Sequence, residues 1–168
     1  DITGKNVELL FEQLNELKAG DVLVLSGSIP SSIRSSIYKE IMERLQGRGI
    51  QIVVDAEKAL LMEVLPLHPF LIKPNNHELG EIFGVKITEK EDVITYAKKM
   101  QEKGAGNVLV SMAGDGAVLV AEDGSIFQAE APKGKVVNSV GAGDSMVAGF
   151  VTGYLKTGSY KEAFQMGV

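Results

Sequence analysis

Val136-Val137-Asn138-Ser139-Val140-Gly141-Ala142-Gly143-Asp144-Ser145 is the stretch from which the fold class follows. A β-branched pair feeds a glycine turn, and an apolar-periodic segment runs on from Met146 to Leu155. This layout predicts a strand, a tight turn and a helix start. The first N–H groups of a helix have no partner inside it and carry the positive end of its dipole, so such a turn suits an anion. Gly141 and Gly143 let the backbone approach a phosphate that a Cβ would hold away. Asp144 is the unusual member. A carboxylate there repels a resting phosphate but can take a proton from a hydroxyl about to attack one. The residues alone equally allow Asp144 to be a first-turn acid that complements the dipole.

Outward from that turn, apolar runs alternate with amphipathic segments. Asp21–Ser26, Ile50–Asp55, Phe70–Lys73 and Asn107–Ser111 read as buried strands. Val7–Leu17, Ser31–Leu45, Glu57–Leu65, His77–Phe83 and Glu89–Lys103 have helical spacing between them. Gly116–Ala121 and Ser125–Ala131 flank an Asp123-Gly124 turn and predict antiparallel additions. Continuous apolar strands alternating with helices imply an α/β domain whose mainly parallel sheet is covered on both faces. With no internal repeat and no low-complexity linker, residues 1–168 form a single domain.

Composition narrows the functional classes. The chain has 168 residues, 45% hydrophobic and 23% charged, with a net charge of −5. That balance argues against a nucleic-acid partner held on a basic face, and no segment approaches a membrane span. The absence of cysteine removes disulfides, zinc–thiolate sites and thiol nucleophiles, and two histidines leave little for a metal cage. No basic-then-apolar leader precedes Asp1-Ile2-Thr3-Gly4, so a cytoplasmic protein is the default expectation. No methionine leads, and Met166-Gly167-Val168 falls within an uncapped apolar pattern, so a fragment of a longer protein is expected.

In parallel sheets ligands collect beyond the carboxyl ends of the strands. Polar residues recur there: Ser26-Gly27-Ser28, Asp55, Lys73-Pro74-Asn75-Asn76-His77-Glu78, Ser111 to Gly116, and Gly141 to Asp144. Asn75 and Glu78 stand three apart after a proline, which fits either a capping box or oxygen ligands for a hydrated Mg²⁺. Lys73 offers a point charge for phosphates, or is a solvated strand-end lysine. Gly114-Asp115-Gly116 lacks the third glycine of a dinucleotide fingerprint and runs into a strand, and no P-loop exists in the chain. His68 and His77 read as loop or surface residues, and the methionines as core filler.

These motifs resemble those of the ribokinase-like, PfkB-type carbohydrate kinases over essentially the whole chain. Gly141-Ala142-Gly143-Asp144-Ser145 with Met146-Val147-Ala148-Gly149-Phe150 is similar to the family's C-terminal signature. Lys73-Pro74-Asn75-x-x-Glu78 is similar to its magnesium and phosphate motif. Ser26-Gly27-Ser28-Ile29-Pro30 resembles the Ser-Gly-Ser-Leu-Pro run of the phosphofructokinase branch. The run from Lys73 to Glu81 is most like the 1-phosphofructokinase branch, with tagatose-6-phosphate kinases close behind. The family usually has glycine where Ala113 stands, and Asp55-Ala56-Glu57-Lys58 departs from the commoner Asp-x-Ser-Gly.

The resemblance implies an ATP-dependent sugar-phosphate kinase that converts fructose 1-phosphate to fructose 1,6-bisphosphate. Tagatose 6-phosphate and fructose 6-phosphate are the alternative acceptors. It implies ATP contacts at Lys73, Asn75, Ser111, Gly114 and Gly116, and Mg²⁺ held through water by Glu78 and Asn75. It further implies an anion hole of Gly141, Ala142 and Gly143, Asp144 as base, and substrate contacts from Ser28 and Asp144. The N-terminal lid and the C-terminal end of such a kinase are absent from the chain, and a homodimer would form through that lid. A nucleotide-binding fragment without activity remains open. A dinucleotide-dependent oxidoreductase is disfavoured by the missing fingerprint and the lack of a catalytic histidine.

Overall fold

Unbroken apolar strands need cover on both faces, and the computed structural model, which describes residues 4–131 and 141–168, supplies it from two groups of helices. The six strands run in sequence order: β1 (Val22–Ser26), β2 (Gln51–Asp55), β3 (Leu71–Ile72), β4 (Asn107–Ser111), β5 (Ala117–Val120) and β6 (Ile126–Ala129). The first four are parallel, and β5 and β6 add antiparallel. The helices are α1 (Gly4–Leu14), α2 (Ile37–Leu45), α3 (Lys58–Val64), α4 (Asn76–Phe83), α5 (Lys90–Glu102), α6 (Ala142–Thr157) and α7 (Tyr160–Gly167).

Sequential strand order has a consequence for the layers. Right-handed crossovers between neighbours moving in one direction all fall on the same face. The side chains of Ile52, Val54, Ile72, Val108 and Val110 accordingly share one core with Ile41, Leu61, Leu79 and Val93 of α2 to α5. Alternate positions Val53, Leu71 and Leu109 point to the opposite face and meet Phe150 of α6 and Phe164 of α7. Phe150 is fully buried, and truncating such a residue to alanine costs about 3–5 kcal/mol. Asn107, a buried polar residue at the start of β4, donates to Phe70 O (2.9 Å) and accepts from Glu122 N (2.9 Å), so its burial leaves no amide unpaired.

The boundaries of α1 and α2 differ most from those the spacing predicts. α2 begins at Ile37, because residues 31–36 are folded as turns, with Ile33 N–H donating to Pro30 O and Ile37 N–H to Arg34 O. The serines of that stretch favour such local bonding over helix, and Ser36 Oγ donates to Glu40. α1 ends at Leu14, where the Arg48 guanidinium collects the carbonyls of Leu14, Asn15 and Leu17 (3.2, 3.0 and 2.6 Å). α6 starts at Ala142, so the glycine turn is itself the first helical turn and Asp144 stands in it, in line with the first-turn position read from the sequence. The strand expected at Val136–Val140 lies outside the described residues. Among those described, no helix is long and apolar enough to cross a membrane.

Candidate active site

The parallel strands deliver their carboxyl ends to one rim, and the local chemistry of each end fixes its side chains. β3 stops at Lys73-Pro74, since proline cannot continue the ladder, and Asn75 then caps α4. Asn75 Oδ1 accepts from Glu78 N–H and Glu78 Oε2 accepts from Asn75 N–H, both at 2.8 Å. The capping box is therefore formed in full, holding both side chains at the rim. Asn75 also bridges in parallel to Ser111, which ties the end of β3 to the end of β4.

After Ser111 the chain makes a single 3-10 turn at Ala113–Asp115 and closes it with Met112 N–H donating to Gly116 O (2.8 Å). Ala113 has φ 48, a left-handed conformation that glycine adopts more easily. The loop thus takes the path expected of a glycine at that position, at a cost in backbone strain. Gly116, at φ 92, lies so close to β6 that any Cβ would run into the Ala129 carbonyl.

α6 enters the rim without a side-chain cap. Gly141 is its N-cap at φ 79, and no side chain among the described residues accepts from its first amides. By contrast, α4 and α7 are capped by Asn75 and Ser159. The first intrahelical bond is from Ser145 N–H to Gly141 O (2.9 Å), so the amides of Ala142, Gly143 and Asp144 remain as donors at a positive helix end. Lys73 adds a formal charge. Its Nζ lies 3.0 Å from the position a Cβ on Gly143 would take, so glycine is what lets the ammonium reach the turn.

The Lys73 ammonium is largely buried and pairs with Asp55 Oδ1 at 3.3 Å. Burial is the main cause that raises the Asp55 carboxyl above the ordinary aspartate range; the Lys73 ammonium opposes it, and the charges of Asp144 and Glu78 reinforce it. Three carboxylates and one ammonium therefore share a single field at the rim. Among the described residues, no group of three or more His, Cys, Asp or Glu side chains could enclose a bare metal ion. Glu78 uses one oxygen in the capping box, and no partner to the other is found among the described residues. This donor set fits a hydrated Mg²⁺ that keeps most of its waters and is shared with phosphate oxygens.

A cavity of about 500 Å³ brings together Lys73, Asn75, Ser111, Gly116, Ala142 and Gly143. That is an ordinary size for a small-molecule site. Gly114 is not part of its wall, and Ala113 stands there instead. Asp144 is exposed at the mouth of the α6 turn, and Glu78 sits behind Asn75. Ser28 is apart from all of these, in an apolar groove of about 280 Å³ beside β1 and α2. Sequence reasoning missed His77, Glu130 and Met146, all of which line the larger cavity. Met146 packs against the core, as expected of the methionines, and lines this cavity as well, whereas Met166 is exposed. A third cavity, of about 540 Å³, opens at the opposite end of the sheet near His68 and Glu122.

Comparison with known proteins follows the same lines. The family model for "pfkB family carbohydrate kinase" matches residues 2–168. A 1-phosphofructokinase of Bacillus subtilis is 46% identical over 167 residues, 99% of this chain and 55% of the relative. A D-tagatose-1-phosphate kinase of Bacillus licheniformis is 34% identical over 143 residues, 84% of this chain and 47% of the relative. The crystal structure of Escherichia coli phosphofructokinase-2 in complex with fructose-6-phosphate superposes with a TM-score of 0.89 at 30% identity, covering 99% of this chain and 55% of that one. The chain spans about half the length of the curated relatives it matches.

Proposed function

The chain belongs to the pfkB family of carbohydrate kinases, and from that premise we propose that it is the nucleotide-binding and catalytic portion of a kinase that phosphorylates fructose 1-phosphate with ATP. The observation that carries this reading is the uncapped start of α6, with Asp144 in its first turn and the Lys73 ammonium against Gly143.

ATP lies along the rim, with its phosphates near Lys73, Asn75, Ser111 and Gly116. Asp144 accepts the proton of the sugar's primary hydroxyl. The freed oxygen bonds to the γ-phosphorus as the bond to the bridging oxygen breaks, leaving fructose 1,6-bisphosphate and ADP. The amides of Ala142, Gly143 and Asp144 donate to the equatorial oxygens as charge redistributes over them. Phosphoryl transfer depends mostly on positioning and electrostatics, so these groups suffice for the chemical step. Mg²⁺ would be held through water by Glu78 with Asn75 beside it, and would supply charge neutralisation on the phosphates. Ser28 contributes to the sugar phosphate. A homodimer through a lid outside this chain belongs to the same reading.

A coupled assay of ADP release from a full-length protein containing this chain tests it. Fructose 1-phosphate should be turned over with a higher kcat/KM than fructose 6-phosphate or tagatose 6-phosphate. Binding of NADH in place of ATP·Mg²⁺ would contradict the kinase reading.

A further inference from the structure

Ser28 follows β1 in a turn whose backbone is held from two directions. Gly27, at φ 87, donates its N–H to Asp55 O (3.0 Å) across the end of the sheet. On the other side, the hydroxyl of Tyr38 in α2 donates to Ser26 O (2.8 Å) and to Gly27 O (3.2 Å). The Tyr38 ring is half-buried and packs against the core under α2, so its hydroxyl is presented from a fixed base. Burial, followed by the charge of Asp55, raises the Tyr38 pKa above the ordinary tyrosine value, which already leaves the hydroxyl a donor at neutral pH.

A trans peptide holds its C=O and N–H in opposite directions. With Gly27 O drawn towards Tyr38, the N–H of Ser28 is turned away from α2, where no partner for it is found among the described residues. The two carbonyls tied to Tyr38 are also kept from presenting their negative ends to an anion. We propose that Tyr38 is a positioning residue for sugar-phosphate binding: it sets the Ser26-Gly27-Ser28 turn so that the amide and hydroxyl of Ser28 face an anionic substrate. The inference rests on the kinase reading above. It adds a residue that touches neither substrate nor nucleotide.

The test is Tyr38→Phe in the full-length protein, which keeps the ring and removes only the hydroxyl. KM for fructose 1-phosphate should rise about 3- to 10-fold, as for the loss of one or two neutral hydrogen bonds, with kcat and KM for ATP within about twofold. In the double variant Tyr38→Phe/Ser28→Ala, the sugar-phosphate KM should exceed that of Ser28→Ala by a smaller factor than Tyr38→Phe produces alone, because the part of the Tyr38 effect that acts through the Ser28 hydroxyl is already lost while the amide remains. Hydrogen exchange at Gly27 N–H should quicken in Tyr38→Phe. A lowered Tm with unchanged sugar-phosphate KM would reduce Tyr38 to a structural role, and additive effects in the double variant would also overturn the proposal. If the wild-type protein turns over no sugar phosphate, the functional reading fails. The exchange rate then decides the clamp separately, with unchanged Gly27 exchange overturning it.

Discussion

The two sides of the rim, the cavity side that the proposed function gives to the nucleotide and the Ser28 side that it gives to the sugar, are built to different degrees within one chain. On the nucleotide side, the ends of β3 and β4, the start of β5 and the first turn of α6 surround one cavity, locked by the Asn75–Glu78 capping box and the Lys73–Asp55 pair. On the proposed sugar side, among the described residues the turn after β1 approaches the rim, and Ser28 opens onto an apolar groove. β1 is an edge strand there, with Val24 43% exposed on the face that α6 and α7 cover elsewhere. A site gains precision from elements packed on several sides, so on the proposed reading the described residues preorganise the nucleotide half more than the sugar half.

The largest effect expected is at the boundary between the halves. Asp144→Asn in the full-length protein should lower kcat by about 10²–10⁴-fold, the usual worth of a general base, with little change in ATP affinity. Steady-state kinetics with both substrates would show it. Near-normal turnover would make Asp144 a dipole-complementing residue and leave the two halves unconnected.

Glycine substitutions sharpen the contrast. Gly116→Ala forces a Cβ into the Ala129 carbonyl at a left-handed φ, whereas Gly27→Ala meets nothing within 4 Å at a similar φ. Denaturant melts should give a loss of about 3 kcal/mol for Gly116→Ala and about 1 kcal/mol for Gly27→Ala. Equal losses would mean that the nucleotide loop is no more constrained than the sugar loop.

Glu78→Gln should raise the Mg²⁺ needed for half-maximal rate several-fold, about 3- to 10-fold for one weakened water-mediated contact. Glutamine still completes the capping box, so Tm should hold. Unchanged magnesium dependence with a lowered Tm would assign Glu78 to capping alone.

The smallest effect concerns Asp55. Its folded-state pKa is raised above the ordinary 3.8, so the folded protein binds this proton more tightly than the unfolded chain does. Its contribution to stability is therefore full below pH 3.8 and is lost as pH rises through the higher folded value. Denaturation midpoints across that acidic window should fall less steeply with rising pH in Asp55→Asn than in the wild type.

Much of this arrangement was legible in the sequence where one residue type has one job. The apolar run Val108–Val110 is a buried strand as read, and Gly141 to Asp144 is a turn into a helix, whereas Val22–Leu25 forms the strand but only Leu25 is buried, because β1 lies at the sheet edge. The spacing of Asn75 and Glu78 announced the capping box but left the magnesium role open, since both call on the same two side chains. What sequence could not show was contact between elements far apart in the chain. Asp55 and Lys73 pair only because β2 and β3 are neighbours, and Tyr38 reaches the Ser28 turn only because α2 packs beneath β1. The start of α2 was misplaced for a local reason, the serines that favour turns over helix.

Calorimetric titration of the 168-residue chain, checked as folded by circular dichroism, tests the central contrast most directly. ATP·Mg²⁺ should bind saturably, and fructose 1-phosphate should give neither saturable heat nor turnover, because the substrate would be held by too few groups to align its hydroxyl. Saturable sugar-phosphate binding, or a folded chain that ignores ATP·Mg²⁺, would contradict the account.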